Sequence, residues 1–234
     1  MASSEPYYSC GFYALLTGSA SSRTNCSDFT IHDMTETLIQ LFARPPQPGK
    51  VKTRLIAHVG VESATAIYRH CLQHSLHLLE HSSFAHQVWL SEPCTDGYFN
   101  NAPVQYQQGK DLGERMHHAL SHTLCNGYQK AILIGSDCLD LTPERLQQVS
   151  KRLDHHDLVV IPALDGGYVL IGASRSIQSA LFTNIDWGSE LVLKQTLLAA
   201  MRLNLNIAVL DPLRDIDTAE DLQHYPELNQ YLNN

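Results

Sequence analysis

Residues 36–55 read ETLIQLFARPPQPGKVKTRL: a near-continuous apolar run, Leu38 to Ala43, passes directly into a loop carrying three prolines, one glycine and the cations Arg44, Lys50, Lys52 and Arg54. The run is strand-sized and does not alternate with polar residues, which is how a strand buried on both faces reads. Similar runs follow at Gln87–Leu90, Val104–Tyr106, Ala131–Ile134, Leu158–Ile161, Val169–Ile171 and Ile207–Leu210. Helix-period segments lie between them: about Val61 to His81, a helix opened by Asp111 with Glu114 three residues on, Thr142 and Pro143 to about Leu153, and about Ser189 to Leu203. This alternation predicts one α/β domain, a Rossmannoid fold with a mostly parallel central sheet flanked by helices.

Composition narrows the function. The 234 residues are 44% hydrophobic and carry a net charge of −8 with no long basic run, so nucleic acid is not the expected partner. No apolar stretch approaches the roughly 18–20 residues of a membrane span. Cys10, Cys26, Cys71, Cys94, Cys125 and Cys138 are scattered without a C-x-x-C pair and read as buried small apolar residues in a reducing, cytoplasmic compartment. The first 33 residues hold seven serines and no lysine. Lacking the basic start and long apolar stretch of a secretory signal, they read as a disordered extension or as a start codon called too early, with the domain beginning at Met34.

In open α/β sheets ligands bind beyond the carboxyl ends of the strands, so the polar residues that follow apolar runs are the candidates for chemistry. The loop Arg44–Arg54 concentrates cations in an acidic chain and suits an anion such as phosphate, although it is not a P-loop. In GSDCLD, Asp137 ends a buried strand where a carboxylate can hold a divalent cation, whereas Asp140 reads as a cap for the helix beginning near Pro143. In RDIDTAED, Asp215 and Asp217 alternate and either can be a second metal ligand; DTAE is also a capping-box pattern for Asp217 with Glu220. In DGGYVLIG, Gly166 and Gly167 permit close approach to a ligand or a tight hairpin turn. His70, His74, His77 and His81 form a stripe beside the apolar face of one helix and read as a polar border, and the pairs His117/His118 and His155/His156 carry no stronger signal.

Taken in order, FARPPQPGKVKTRL, QGKDLGERM, IGSDCLDLT, DGGYVLIG, NIDWGSELVLKQT and DIDTAEDL resemble a bacterial family of GT-A-like glycosyltransferases, within the nucleotide-diphospho-sugar transferase superfamily. The resemblance runs from about Thr37 to Leu222. It implies that Arg44, Gly49, Lys52 and Arg54 hold nucleotide phosphates, helped by Asp111 and Arg115. It further implies that Asp137, with Asp217 and Asp215, binds Mg²⁺ or Mn²⁺, and that Asp165, Gly166, Gly167 and Trp187 form the acceptor pocket. Asp137, Lys52 and Asp165 are the catalytic positions on this reading. Leu139 stands where the family pattern has proline, and Trp187-Gly188-Ser189 replaces its W-S-T.

The expected activity is metal-dependent transfer from a nucleotide-activated donor to a small-molecule acceptor. Glycosyl transfer from a nucleotide-sugar leads. Nucleotidyl transfer from a nucleoside triphosphate with pyrophosphate release would use the same residues, and a non-catalytic nucleotide-binding protein is the third class. Retention of Asp137, Asp217 and Lys52 argues against the last, because a purely structural descendant needs no carboxylate pair and cation at its strand ends.

Overall fold

The computed structural model describes residues 36–232. The expectation for residues 1–33 lies outside them. Seven strands and four helices alternate: β1 (Thr37–Ala43), α1 (Thr53–His81), β2 (Ala85–Leu90), β3 (Val104–Tyr106), α2 (Leu112–Cys125), β4 (Lys130–Ile134), α3 (Pro143–Arg152), β5 (Leu158–Pro162), β6 (Tyr168–Ser174), α4 (Val192–Arg202) and β7 (Ile207–Val209). Short 3₁₀ turns lie at Ser179–Phe182, Asp221–His224 and Pro226–Tyr231. The sheet order is β3-β2-β1-β4-β6-β5-β7. All neighbours pair parallel except β6, which runs antiparallel to both β4 and β5. The mostly parallel α/β fold read from the sequence is therefore the fold of this chain.

Both faces of the sheet are covered, which is why its strands read as apolar runs rather than alternations. Along β1 and β4, Ile39, Leu41, Ile132 and Ile134 point into one cluster with Leu72 and Leu79 of α1 and Leu146 and Val149 of α3. Ala131 and Leu133 face the other way, onto Met116, Ala119 and Leu120 of α2 and Ala199 and Ala200 of α4. Gln40, in the middle of β1, is fully buried and donates its amide N–H groups to the Ala119 carbonyl and the Thr123 hydroxyl of α2, while its Oε1 has no partner among the described residues.

Two helix boundaries move. A helical turn already begins at Thr53 and joins the body of α1 through a kink at Gly60, whose φ of 80° and ψ of 167° are open to glycine and interrupt the helical period there. The expected start of α4 at Ser189 is instead a turn, closed by Ser189 Oγ donating to the Asp186 carbonyl, and the helix proper starts at Val192.

The cysteine expectation needs one correction. Cys71 and Cys138 are buried and their thiols are pushed up to about 12, chiefly by burial, but Cys94 is half-buried and Cys125 is exposed at the end of α2. Among the described cysteines all are free thiols. The histidine stripe is indeed a border: His70 and His74 are half-buried, with His70 Nδ1 3.2 Å from the Tyr231 hydroxyl, while His77 and His81 are exposed and stacked on each other.

Candidate active site

Strand order reverses at β1. The chain leaves it towards β2 and β3 on one side, then returns to place β4 on the other, so a crevice opens between the loops that follow β1 and β4. A cavity of about 700 Å³ lies there. Its walls bring together Arg44, Lys52, Arg54, Asp111, Arg115, Asp137, Asp165, Gly167, Trp187 and Asp217 from six separate sequence motifs. Gly49, Gly166 and Asp215 are not on its wall. Gly49 turns the preceding loop at φ +79°, Gly166 packs behind the wall, and Asp215 lies partly buried near it.

Lys52 is the centre of the charged cluster. Its backbone is left-handed, φ 47° and ψ 45°, at the N-terminus of α1, a conformation that costs a side-chain-bearing residue about 1 kcal/mol or more. That turn sends the side chain inward, where it is only 5% exposed, with Nζ 2.9 Å from Asp137 Oδ2 and 3.9 Å from Asp217 Oδ1. Burial alone would lower the Lys52 pKa, but the Asp137 carboxylate, aided by Asp217, outweighs it and the ammonium is held above the ordinary lysine range. Arg54, two residues on, donates to Asp217 Oδ2 and to the Gly188 carbonyl.

The acidic side is overpopulated. The Asp215 carboxyl is pushed up to about 7, first by burial and then by the negative charges of Asp137 and Asp165. An acid whose pKa rises on folding binds more protons in the native state, so its ionisation weakens the fold as pH climbs from about 4 to about 7. We expect Asp215→Asn to flatten this loss, with thermal melts of the two proteins coinciding near pH 4 and the variant melting higher near pH 8. Equal melting temperatures at both pH values would contradict the raised Asp215 pKa.

Capping assignments divide. Asp111 caps α2 as expected, accepting the Glu114 N–H, while Glu114 accepts from the Lys110 N–H in return. Asp140 does not cap α3; Thr142 does, and the Asp140 carboxylate accepts from the Tyr225 hydroxyl instead. Nor does Asp217 cap the turn after it. Asp221 instead fixes the loop before it, accepting the Asp217 and Thr218 N–H groups, the Thr218 hydroxyl and Arg214, while the Asp217 carboxylate faces Lys52 and Arg54. The Gly166-Gly167 pair serves the hairpin between β5 and β6, with Asp165 Oδ1 accepting the Gly167 N–H. Leu139, in the position of the family proline, packs beside Leu55, Ile67 and Cys71, and its loop is pinned by the Ile216 N–H donating to the Asp137 carbonyl.

Trp187 reaches the cavity because α2 offers no side chain at Gly113. A Cβ there would come within 2.7 Å of the Trp187 ring and 2.8 Å of the Phe182 carbonyl. Gly113→Ala should thus displace the indole, seen as a changed Trp187 emission in a Trp89→Phe background; an unchanged spectrum would show that the ring is not held by α2. Tyr68, Gln107 and Ser136 also line the cavity; no local pattern singles out Tyr68 or Gln107, and Ser136 is passed over beside Asp137. Tyr68 follows Ile67 on the buried side of α1 and reads simply as core.

A mostly parallel sheet with one reversed strand, and acidic and basic loops meeting where strand order turns, defines an α/β domain of the nucleotide-diphospho-sugar transferase type. The bacterial family described as "uncharacterized protein conserved in bacteria (DUF2064)" matches residues 71–189, half of the chain, and the protein belongs to that family. The crystal structure of a Desulfovibrio desulfuricans G20 protein classed as a nucleotide-diphospho-sugar transferase is similar at 32% identity and a TM-score of 0.75, covering 85% of this chain and 99% of that one. A CMP:2-keto-3-deoxy-manno-octonic acid synthetase complexed with CTP aligns at 10% identity and a TM-score of 0.55, over 83% of this chain and 98% of its own. The 4-diphosphocytidyl-2C-methyl-D-erythritol synthase of Anaerococcus prevotii aligns at 10% and 0.55, over 85% and 100%. At that identity these two share the fold alone. No curated protein matches the chain in sequence.

Proposed function

We propose that the protein is a metal-dependent transferase acting on a nucleotide-activated donor, with glycosyl transfer from a nucleotide-sugar as the reaction. One observation carries this reading: a buried ammonium, Lys52, lies between two carboxylates, Asp137 and Asp217, at the switch point of a cation-rimmed cavity. The class of the Desulfovibrio relative agrees with it.

The residues fit a hard divalent cation. Asp137 and Asp217 supply oxygen only, and both already converge on one positive charge. Among the described residues no group of three or more His, Cys, Asp or Glu could hold a metal ion, so the protein would offer one or two carboxylates at most. That suits Mg²⁺ or Mn²⁺, which use one or two carboxylates and draw their other ligands from water and substrate phosphates. When bound, the ion would neutralise charge on the departing diphosphate.

The chain's own groups do the rest. Arg44 and Arg54, with Lys52 behind them, stabilise the diphosphate oxygens as negative charge develops there. Asp111 and Arg115 border the nucleotide side at the start of α2. Asp165, its Oδ1 fixed by Gly167, stands at the acceptor side beside Trp187 and takes the proton of the attacking hydroxyl. The acceptor oxygen bonds to the sugar carbon and the nucleoside diphosphate leaves.

A thermal-shift screen with Mn²⁺ and either nucleotide-sugars or nucleoside triphosphates tests the proposal. Stabilisation by nucleotide-sugars with slow diphosphate release is the expected result. Pyrophosphate release from a triphosphate would move the assignment to nucleotidyl transfer, and no metal-dependent binding of either ligand would end both.

A further inference from the structure

The strand ends that frame the crevice belong to different strands, and beside the Lys52–Asp137 ion pair a second buried group joins their loops, the hydroxyl of Tyr68. The residue is 4% exposed and comes from the middle of α1, outside every motif discussed above. Its hydroxyl accepts the Arg44 N–H at 2.9 Å and donates to the Arg44 carbonyl at 2.9 Å. A third contact, 3.2 Å long, reaches Ser136 Oγ. A phenol has one proton, here given to Arg44, so the Ser136 hydroxyl is the donor in that third contact. Burial raises the Tyr68 pKa, so the group stays a neutral phenol that both donates and accepts.

The consequence is geometric. Arg44 is the first residue past β1, where the ladder no longer supplies partners for its N–H and C=O, and Tyr68 supplies both. Ser136 immediately precedes Asp137. One oxygen therefore fixes the peptide that aims the Arg44 guanidinium and the residue that aims the Asp137 carboxylate, across the β1–β4 boundary. Removing it would leave the Arg44 N–H, the Arg44 carbonyl and the Ser136 hydroxyl without this partner, and the Lys52–Asp137 pair would be left to couple the two loops.

We propose that Tyr68 is a positioning residue, whose hydroxyl holds the cation-bearing and carboxylate-bearing loops in register so that one metal–diphosphate unit can engage both. This rests on the reading of the cavity given above. Tyr68→Phe keeps the ring in the core and deletes only the crossbar. Ser136→Ala breaks one arm of it from the other side.

The test is calorimetric titration with Mn²⁺ and inorganic pyrophosphate, which carries the diphosphate without base or sugar. Thr37→Val serves as the comparison, because it breaks the buried 2.9 Å Thr37–Ser150 hydrogen bond at the opposite end of β1. We expect Tyr68→Phe to weaken Mn²⁺–pyrophosphate binding about tenfold, the size of one buried charge-orienting hydrogen bond. Thr37→Val should bind as wild type even if it melts lower. Ser136→Ala combined with Tyr68→Phe should cost less than the two separate losses together, since both cut the same link. Wild-type affinity in Tyr68→Phe, or losses that simply add, would overturn the positioning role while leaving the functional reading intact. A wild-type protein that takes up no Mn²⁺–pyrophosphate would overturn that reading, and the positioning role with it.

Discussion

Asp137→Asn is expected to abolish metal-dependent nucleotide binding while leaving the domain folded. Asparagine keeps the volume and one oxygen, so Lys52 Nζ retains a hydrogen-bond acceptor near its present 2.9 Å contact, but the negative charge facing a cation is gone. With ligand at about one hundred times its Kd, binding stabilises the wild type by about 2.7 kcal/mol. For a domain of this size that corresponds to a rise in Tm of roughly 5–10 °C. The variant should show none of it, a loss of affinity of about a hundredfold or more. Unchanged affinity would remove Asp137 from the metal assignment.

The alanine variant at the same position should behave differently. Lys52 is buried, and its other carboxylate, Asp217, stands 3.9 Å away and is shared with Arg54. Truncating Asp137 strands an ammonium in a dry site, which costs on the order of 3 kcal/mol when one partner of a buried pair is removed. Asp137 is itself 35% exposed, so water entering the gap makes that figure an upper value. Asp137→Ala should thus lose stability as well as binding, and asparagine is the variant that separates the two effects.

The largest purely structural effect is expected at Gly166. A Cβ there would clash with the Glu190 carbonyl oxygen and come within 2.7 Å of its Cα, and the residue sits at φ +94°. The obstacle is backbone, which cannot rotate aside as a side-chain tip can. Gly166→Ala should destabilise by about 2–4 kcal/mol, combining positive-φ strain with displacement of the turn before α4. The affected turn carries Ser189 and Trp187 into the cavity, so ligand binding should fall along with Tm. A melting temperature within a degree of wild type would show that the hairpin and the α4 turn are not packed as described.

These variants mark where local reading succeeds. Apolar runs, Pro/Gly loops and helix periods located every strand and the cation loop, because buried strands and turns impose their composition on the residues that form them. Asp111 with Glu114 was legible as a cap because both partners lie within one turn. Asp140 and Asp217 have equally good local patterns and make other contacts. Thr142, which together with Pro143 also reads as a helix start, caps α3, and Asp221 binds the Asp217 and Thr218 N–H groups; nothing within four residues says which competitor wins. Gly60 set the kink in α1 by its own backbone freedom, but it also hid the helical turn that carries Arg54.

What the sequence by itself determined is the α/β alternation and the set of charged loops at the carboxyl ends of its strands, since both follow from burial and turn chemistry along a few residues. Only the tertiary structure decided which charges meet. Lys52 and Asp137 are 85 positions apart, Arg54 and Asp217 are 163 apart, and Tyr68 joins Arg44 to Ser136 across 24 and 68. Their distances are set by strand order, above all by the return of β4 to the far side of β1, and by glycines such as Gly113 whose meaning is the neighbour they admit. Such contacts leave no periodic trace in a chain, because the partner is chosen by packing and not by spacing.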